Sequence, residues 1–274
     1  MTGLQSFPPE ICSLICQDPI LERLDLNSIC FVSHAFRNEA QRELSYRFPF
    51  LRGASHFNTW CFTLQCQSHL AINIVGLVLL LPAFVRSDIN LTTTLHMCVN
   101  LKELVVLCEE CPSLGMPKDL THTFKMPPTF AFHPFKLTKF VNGYFSQDNM
   151  EFGTFLRFQP NLESLELHSG KMNVFKRQLP LDYLKTLGCP PHFLDTSYSV
   201  TRLRLNFENS TDNCEIDVLG RVLKRNLTRS MKSLAIFLKQ RQSHFAEIIR
   251  VIAINHIYIQ HLEIHQFLPT QVRP

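Results

Sequence analysis

Apolar residues near the start of the chain recur at the spacing of amphipathic helices. Ile11, Leu14 and Ile15 fall at i, i+3 and i+4, and Pro19 marks the end of this first stripe. A second series then advances in steps of three and four residues, through Leu26, Ile29, Val32, Phe36, Ala40 and Leu44. We expect one break in this series near Asn38, so the pattern predicts three short helices.

Beyond residue 72 the apolar period changes to that of strands. A string of the form apolar-x-x-apolar-x-apolar begins at residues 74, 101, 162, 200, 231 and 259, with weaker copies at 137 and 181. Alternating apolar positions are typical of a strand with one face in a core. Helical patterns fall between several copies, over Leu91–Met97, Met150–Phe158, Val218–Asn226 and Phe245–Ile254. A strand that returns through a helix to a parallel neighbour is the unit that repeat domains stack.

The repeated strings resemble degenerate leucine-rich repeats. The phrases Cys98–Leu104 and Gln159–Leu165 are near copies of each other. The strings start 19 to 36 residues apart, and repeats of that family have periods of about 20 to 29 residues with insertions. Regular repeats of this kind carry Asn or Cys a few residues after the last apolar position. No consistent residue occupies that position here, so the resemblance implies an irregular solenoid.

The N-terminal helical region resembles an F-box of the fungal type. The shared elements are, in order, Phe7-Pro8-Pro9-Glu10-Ile11, Ile15, Asp25-Leu26, Val32–Arg37, Ala40-Gln41, Leu44 and the apolar end Phe48-Pro49-Phe50-Leu51. The resemblance implies that this region binds a Skp-type adaptor, which connects it to a cullin and a ubiquitin ligase. It also implies a set of adaptor-binding residues: Pro8, Pro9, Ile11, Ile15, Val32, Phe36 and Leu44.

Two features of that set leave alternatives open. Phe36 stands where many F-boxes carry Trp, and Phe offers a smaller surface and no indole donor. The alternative for Ile15, Val32 and Leu44 is that they form the core of the helical region itself. A region of about 45 residues buries too little surface to be a stable domain alone. It therefore needs a partner, the rest of the chain, or both.

These patterns predict an α+β protein with a three-helix F-box followed by an α/β solenoid similar to leucine-rich repeats. The expected F-box covers residues 5–52, and a linker helix with apolar positions at helical spacing covers residues 53–71. The repeat domain is expected over residues 72–268 and a tail over residues 269–274. Residues 108–135 form a long loop rich in Pro and Phe. It is interpreted as either a binding lip or an insertion folded against the repeats.

Composition restricts the class of protein. The chain has 274 residues, 45% of them hydrophobic, and a net charge of only +4, which does not indicate a nucleic-acid binder. Residues 1–9 lack the pattern of a signal peptide, and the longest apolar run, Ile72–Val85, is shorter than the roughly 20 residues of a membrane-spanning helix. We therefore expect a soluble protein of the cytoplasm or nucleus, with no membrane partner and with its ten cysteines as reduced thiols, mostly buried.

No pattern of catalytic or metal-binding residues emerges. Cys108 and Cys111 have the spacing of half a zinc site, but no second pair lies at the required distance. Cys12 and Cys16 lie one helical turn apart without histidines beside them. The nine glycines form no phosphate-binding loop, and no Gly-x-Ser-x-Gly or His-Glu-x-x-His string occurs. The sequence predicts a protein that is not an enzyme and that needs no cofactor or metal.

One charged stretch stands out between residues 218 and 250. Positive residues outnumber negative ones there, and five are candidates for contact with an acidic or phosphorylated substrate: Arg221, Lys224, Arg225, Lys239 and Arg241. The alternative is that they form the solvated outer face of a helix.

The resemblance and the two-part organisation together suggest a function. The expected protein is the substrate-recognition subunit of a Skp-cullin-F-box type ubiquitin ligase. Its F-box binds the adaptor, its repeats bind an unknown protein substrate, and the chemistry takes place on other subunits. The alternative is a non-catalytic repeat scaffold with a vestigial F-box, which binds a protein partner outside any ligase.

Overall fold

A computed structural model describes residues 7–82, 88–109, 125–146, 150–168, 181–191, 200–207, 220, 231–238, 245–255 and 259–266. These residues form seven α-helices: α1 (Pro9–Cys16), α2 (Arg23–Ile29), α3 (His34–Arg47), α4 (Gly53–Cys66), α5 (Asp88–Met97), α6 (Met150–Arg157) and α7 (Phe245–Asn255). Short 3-10 helices cover Ser68–Asn73 and Pro128–Phe132.

Nine strands form one sheet in which every neighbouring pair is parallel and the order follows the sequence. They are β1 (Phe50–Arg52), β2 (Gly76–Leu81), β3 (Glu103–Cys108), β4 (Lys139–Gly143), β5 (Ser164–Leu167), β6 (Thr186–Cys189), β7 (Arg202–Phe207), β8 (Ser233–Leu238) and β9 (His261–Gln266). Each step to the next strand is a parallel crossover of the kind that the repeated strings predicted.

The predicted class, α+β with a separate three-helix F-box ahead of a solenoid, is wrong: the fold is α/β. Helices α1 to α3 do form, but nothing in the fold identifies them as an F-box. The sheet begins directly after α3, because β1 pairs with β2. The carbonyl of Arg47 accepts from the amide of Val75 at 2.9 Å, and that of Pro49 accepts from Val78 at 3.0 Å. Helices and sheet are therefore joined by backbone hydrogen bonds.

The break between α2 and α3 also differs from its predicted position near Asn38. Helix α2 ends at Ile29 and α3 begins at His34. Ser33 has extended backbone angles, and its hydroxyl accepts from the amide of Phe36 at 3.3 Å. Ser is a favoured N-cap because its hydroxyl satisfies an amide that has no partner within the helix. This capping chemistry, rather than apolar spacing, places the break.

The main core lies on the face of the sheet that the helices cover. Alternate strand positions are buried in register across the sheet, as in the row of Leu104, Phe140 and Leu165. The buried helix side chains belong to the same cluster, among them those of Phe57, Leu95, Phe155 and Ile248. The other strand positions face away from this core and remain mostly half-buried or exposed.

Asn142 interrupts the apolar alternation of β4 without leaving a buried polar group unsatisfied. Its side chain is fully buried, its amide nitrogen donates to the carbonyl of Phe145 at 2.8 Å, and its oxygen accepts from the Phe145 amide at 2.9 Å. A buried amide that makes these bonds replaces water as the partner of the backbone. Asn142 therefore ends the strand and fixes the following turn.

Candidate docking surface on the N-terminal helices

Exposed apolar side chains are concentrated at the N-terminal end of the described chain. Eight large ones lie between residues 7 and 32, compared with eleven in all the other described residues. We call these eight the N-terminal apolar surface: Phe7, Ile11, Leu14, Ile15, Ile20, Leu24, Phe31 and Val32. Single scattered apolar side chains are normal on a protein surface, but a concentration of them is typical of regions that bind a partner.

The local fold explains why these side chains are left outside. Helix α1 packs on α3 through Cys12 and Cys16, both fully buried, so that Ile11 and Ile15 point away from that contact. The buried cluster of the three helices contains only Cys12, Cys16, Leu26, Phe36, Ala40 and Phe48. Three of these six residues are small (Cys12, Cys16 and Ala40), and the exposed aliphatic side chains of α1 lie outside the cluster.

The structure separates the seven predicted adaptor-binding residues into three groups. Pro8, Pro9, Ile11, Ile15 and Val32 are exposed, with Val32 at 66%, and Leu44 is half-buried. Pro8 precedes α1, Pro9, Ile11 and Ile15 belong to α1, and Val32 lies in the turn between α2 and α3.

Phe36 forms the third group because it lies inside the helical cluster, only 8% exposed. The ring of Phe7 covers it edge to face, with the centroids 6.0 Å apart. Phe36 is therefore a core residue, and a partner that touched it would first have to displace Phe7.

Arg47 is a structural residue of this region that sequence reasoning did not find. Its buried guanidinium donates to three carbonyls of the α1–α2 connection, those of Asp18 (3.1 Å), Pro19 (3.2 Å) and Leu21 (2.8 Å). Bonds from a charged donor are stronger than neutral ones, so Arg47 fixes α1 and α2 to the end of α3. No local signal marks it, because its partners lie almost 30 residues earlier in the chain.

The thiols of the described residues are all free, and most are packing groups. Burial and the neighbouring Cys12 thiol raise the pKa of Cys16. Burial also raises the pKa of Cys98 to about 12. A thiol with a raised pKa carries little thiolate at neutral pH and is a poor nucleophile or metal ligand.

Other predicted site residues fall elsewhere. Five candidates for substrate contact lie outside the described residues, namely Arg221, Lys224, Arg225, Lys239 and Arg241. Cys111 of the Cys-x-x-Cys string also lies outside them. Among the residues that the structure does describe, no group of three His, Cys, Asp or Glu side chains is placed to hold a metal ion.

The described end of the long Pro- and Phe-rich loop folds into the sheet core. Phe130 and Phe135 are fully buried, and Phe130 packs against Phe145 and Phe155 at centroid distances of 5.2 and 5.3 Å. The imidazole of His133 stacks on Phe135 at 4.9 Å. Met126, Phe130, His133 and Phe135 thus belong to the core, whereas Phe132 is exposed. Residues 110–124 of the loop lie outside the described residues.

Comparison with known proteins adds no family. No protein-family model matches this chain, and no curated protein matches it at a significant level. Within the described residues, no helix combines the length and apolar character that crossing a membrane requires.

Proposed function

We propose that this protein is the substrate-recognition subunit of a Skp-cullin type ubiquitin ligase. The N-terminal helices bind a Skp-type adaptor, and the sheet domain binds a protein substrate. The chain itself performs no chemistry, and it acts by holding the substrate near the charged ubiquitin carrier, which raises the effective concentration of a substrate lysine. The compartment proposed for this activity is the cytoplasm or the nucleus.

The observation that carries the proposal is the exposure of Ile11, Ile15 and Val32, at 41%, 41% and 66%. These are three of the residues that the sequence resemblance assigned to the adaptor contact. Fully burying one aliphatic side chain contributes about 1.5–3 kcal/mol. A partner that covers all three therefore gains several kcal/mol of binding free energy in the best case, enough for a specific interface when polar contacts surround it.

A second function is favoured by the position of Phe36. This residue lies in the helical core beneath Phe7, whereas the resemblance implied a direct adaptor contact. The alternative is a non-catalytic scaffold in which α1 to α3 cap the first edge of the sheet and bind no adaptor. In that case the sheet domain binds its protein partner outside any ligase.

Capture of a co-expressed Skp-type adaptor tests the proposal. The surface variant carries Ile11→Ser, Ile15→Ser and Val32→Ser, all at exposed positions. The matched control carries Phe62→Ser, Ile72→Ser and Val99→Ser, which remove three exposed apolar side chains from outside the N-terminal apolar surface. We expect the wild type and the control to capture the adaptor and the surface variant to lose it.

Thermal unfolding of all three proteins shows whether the substitutions alter the fold. Since every substituted side chain is exposed, stability changes within about 0.5 kcal/mol per site are expected. If the wild type captures no adaptor, or if the surface variant captures as much as the wild type, the ligase proposal fails and the scaffold function takes its place.

A further inference from the structure

The amino ends of strands β3 to β9 share one backbone arrangement. Two consecutive amides donate to a single carbonyl, that of the residue just before the preceding strand, as where Lys185 and Thr186 both donate to Glu163, at 2.8 and 2.9 Å. The seven residue pairs are Lys102–Glu103, Thr138–Lys139, Glu163–Ser164, Lys185–Thr186, Thr201–Arg202, Lys232–Ser233 and Gln260–His261.

Positive side chains predominate at these pairs. We call the charged residues the edge strip: Lys102, Lys139, Lys185, Arg202 and Lys232, together with Glu103 and Glu163. Glu103 lies 3.8 Å from Lys139, and Glu163 lies 2.8 Å from Lys185. The remaining three cations are exposed and form no ion pair with another described residue.

A pocket of about 310 Å³ opens in the middle of the edge strip. Both members of three consecutive pairs line it: Glu163, Ser164, Lys185, Thr186, Thr201 and Arg202. Thr201 uses its hydroxyl to donate to the carbonyl of Lys185 at 3.0 Å. The hydroxyls of Ser164 and Thr186 form no hydrogen bond with another described residue and remain available as donors. Glu163 also lines the pocket, but Lys185 neutralises its carboxylate at 2.8 Å, so the guanidinium of Arg202 and the two hydroxyls are the donors left for an oxyanion.

We propose that the edge strip binds an extended acidic segment of a protein partner, with a carboxylate in the pocket beside Arg202. This inference rests on the proposed function only in taking the partner to be the protein that the sheet domain binds. Neighbouring strands lie about 4.8 Å apart. Lys139 on β4 and Lys232 before β8 are four strands apart and thus separated by roughly 20 Å. About six residues of extended peptide cover that distance.

The composition of the edge strip favours a peptide over a nucleic acid. Glu103 and Glu163 interrupt the cations at β3 and β5, and a continuous phosphate backbone would be repelled at both. A peptide avoids this repulsion because it carries acidic residues opposite the cations and neutral ones opposite the glutamates.

Fluorescence anisotropy with a short labelled peptide of alternating Glu and Ser tests this site on the full chain at low salt. The edge variant carries Arg202→Gln and Lys232→Gln. The matched control carries Arg157→Gln and Arg250→Gln, which remove the same charge from exposed positions on α6 and α7. We expect the edge variant to bind about tenfold more weakly than the wild type, and the control to stay within about twofold of it.

Three results would overturn the site: no binding by the wild type, equal binding by the edge variant, or equal binding of a peptide in which Gln replaces every Glu. Tighter binding of a single-stranded oligonucleotide would overturn the assignment to a peptide. Adaptor capture by the edge variant separates this inference from the ligase proposal. The variant is expected to capture the adaptor normally, since its two substitutions lie far from α1 to α3 in the strand order.

Discussion

Apolar residues of similar kind are buried in the sheet domain but exposed in the N-terminal helices. In the sheet, Leu104, Phe140 and Leu165 lie in register on three adjacent strands and are at most 1% exposed. In α1, Ile11 and Ile15 repeat at helical spacing, yet both are exposed, while Cys12 and Cys16 beside them are buried. Periodicity identifies the faces of a helix, but it does not decide which of two apolar faces points inward.

This difference in burial follows from how many layers of secondary structure each region offers for apolar side chains to pack between. The buried positions of the sheet and the buried side chains of α4 to α7 form one large cluster. Helices α1 to α3 surround a small cluster of six buried residues, three of which are Cys or Ala. A three-helix region of this size cannot bury every apolar side chain, so the remaining ones are available to a partner.

The comparison predicts a large difference between two apolar truncations. Phe140→Ala leaves a cavity among the rings of Phe152 and Phe155 and is expected to cost about 3–5 kcal/mol of unfolding free energy. Val32→Ala removes an exposed side chain and is expected to change it by less than about 0.5 kcal/mol. Urea unfolding of the full chain measures both. A cost above about 2 kcal/mol for Val32→Ala would mean that the residue is covered within the folded chain.

A buried imidazole in the sheet domain predicts a dependence of stability on pH. Burial and the neighbouring His96 lower the pKa of His133 to about 4, and neither ring nitrogen has a hydrogen-bond partner among the described residues. The unfolded state, with an imidazole pKa near 6.5, then binds more protons than the native state between about pH 6.5 and 4. The stabilisation is complete above this window and is lost as the pH falls through it, by roughly 3 kcal/mol at most.

Chemical unfolding of the wild type and of two variants at several pH values measures this effect. His133→Phe keeps an aromatic ring beside Phe130 and Phe135 and is expected to flatten the dependence in this window. His34→Gln, at an exposed position on α3, is the matched control and should leave the wild-type slope unchanged. A wild-type slope that persists in His133→Phe would assign the pH dependence to other groups.

A smaller effect is expected at Gly188, where the exposed face of the sheet is tightly packed. Glu166 on β5 reaches over this glycine to Arg204 on β7, with the charged atoms 3.3 Å apart. A Cβ at residue 188 would lie 2.9 Å from the Cγ of Glu166. Gly188→Ala should therefore cost about 1 kcal/mol and separate this ion pair. The pKa of Glu166 is lowered mainly by a hydrogen bond from His168 and also by the charge of Arg204. Losing the ion pair with Arg204 should therefore raise the pKa of Glu166.

Gly220 offers the matched control for that substitution. Among the described residues, a Cβ there would meet the side chain of Val251 alone, at an ordinary contact distance of 3.5 Å. Gly220→Ala is expected to be neutral or slightly stabilising, because alanine favours a helix more than glycine does. If the two substitutions lower the free energy of unfolding equally, the contact between residue 188 and Glu166 does not affect stability.

Much of the strand layout could be predicted from the sequence. Seven of the eight apolar strings begin two residues before an observed strand, as Leu101 precedes β3 and Val200 precedes β7. The string at Leu181 is wrong by three residues, since the pattern leading into β6 starts at Leu184. Both leucines are buried, because one of them packs in the turn ahead of the strand. Apolar character alone could not distinguish a turn residue from a strand residue.

The arrangement of the candidate sites could not be predicted in the same way. The edge strip depends on strand register, which places Lys139 and Arg202 in one row although 63 residues separate them in the chain. The burial of Phe36 depends on the ring of Phe7, which packs against it edge to face. The role of Arg47 depends on carbonyls in the α1–α2 connection, which is distant in the chain. Each is a long-range contact that leaves no local pattern in the sequence.

Hydrogen–deuterium exchange of the full chain, alone and with a Skp-type adaptor, tests the central claim most directly. If the N-terminal apolar surface is the docking site, amides of α1 and of the α2–α3 turn around Val32 should gain protection when the adaptor binds. The amides of β6 to β8 should exchange as in the free protein. No added protection in α1 to α3, or protection confined to the sheet, would contradict the account.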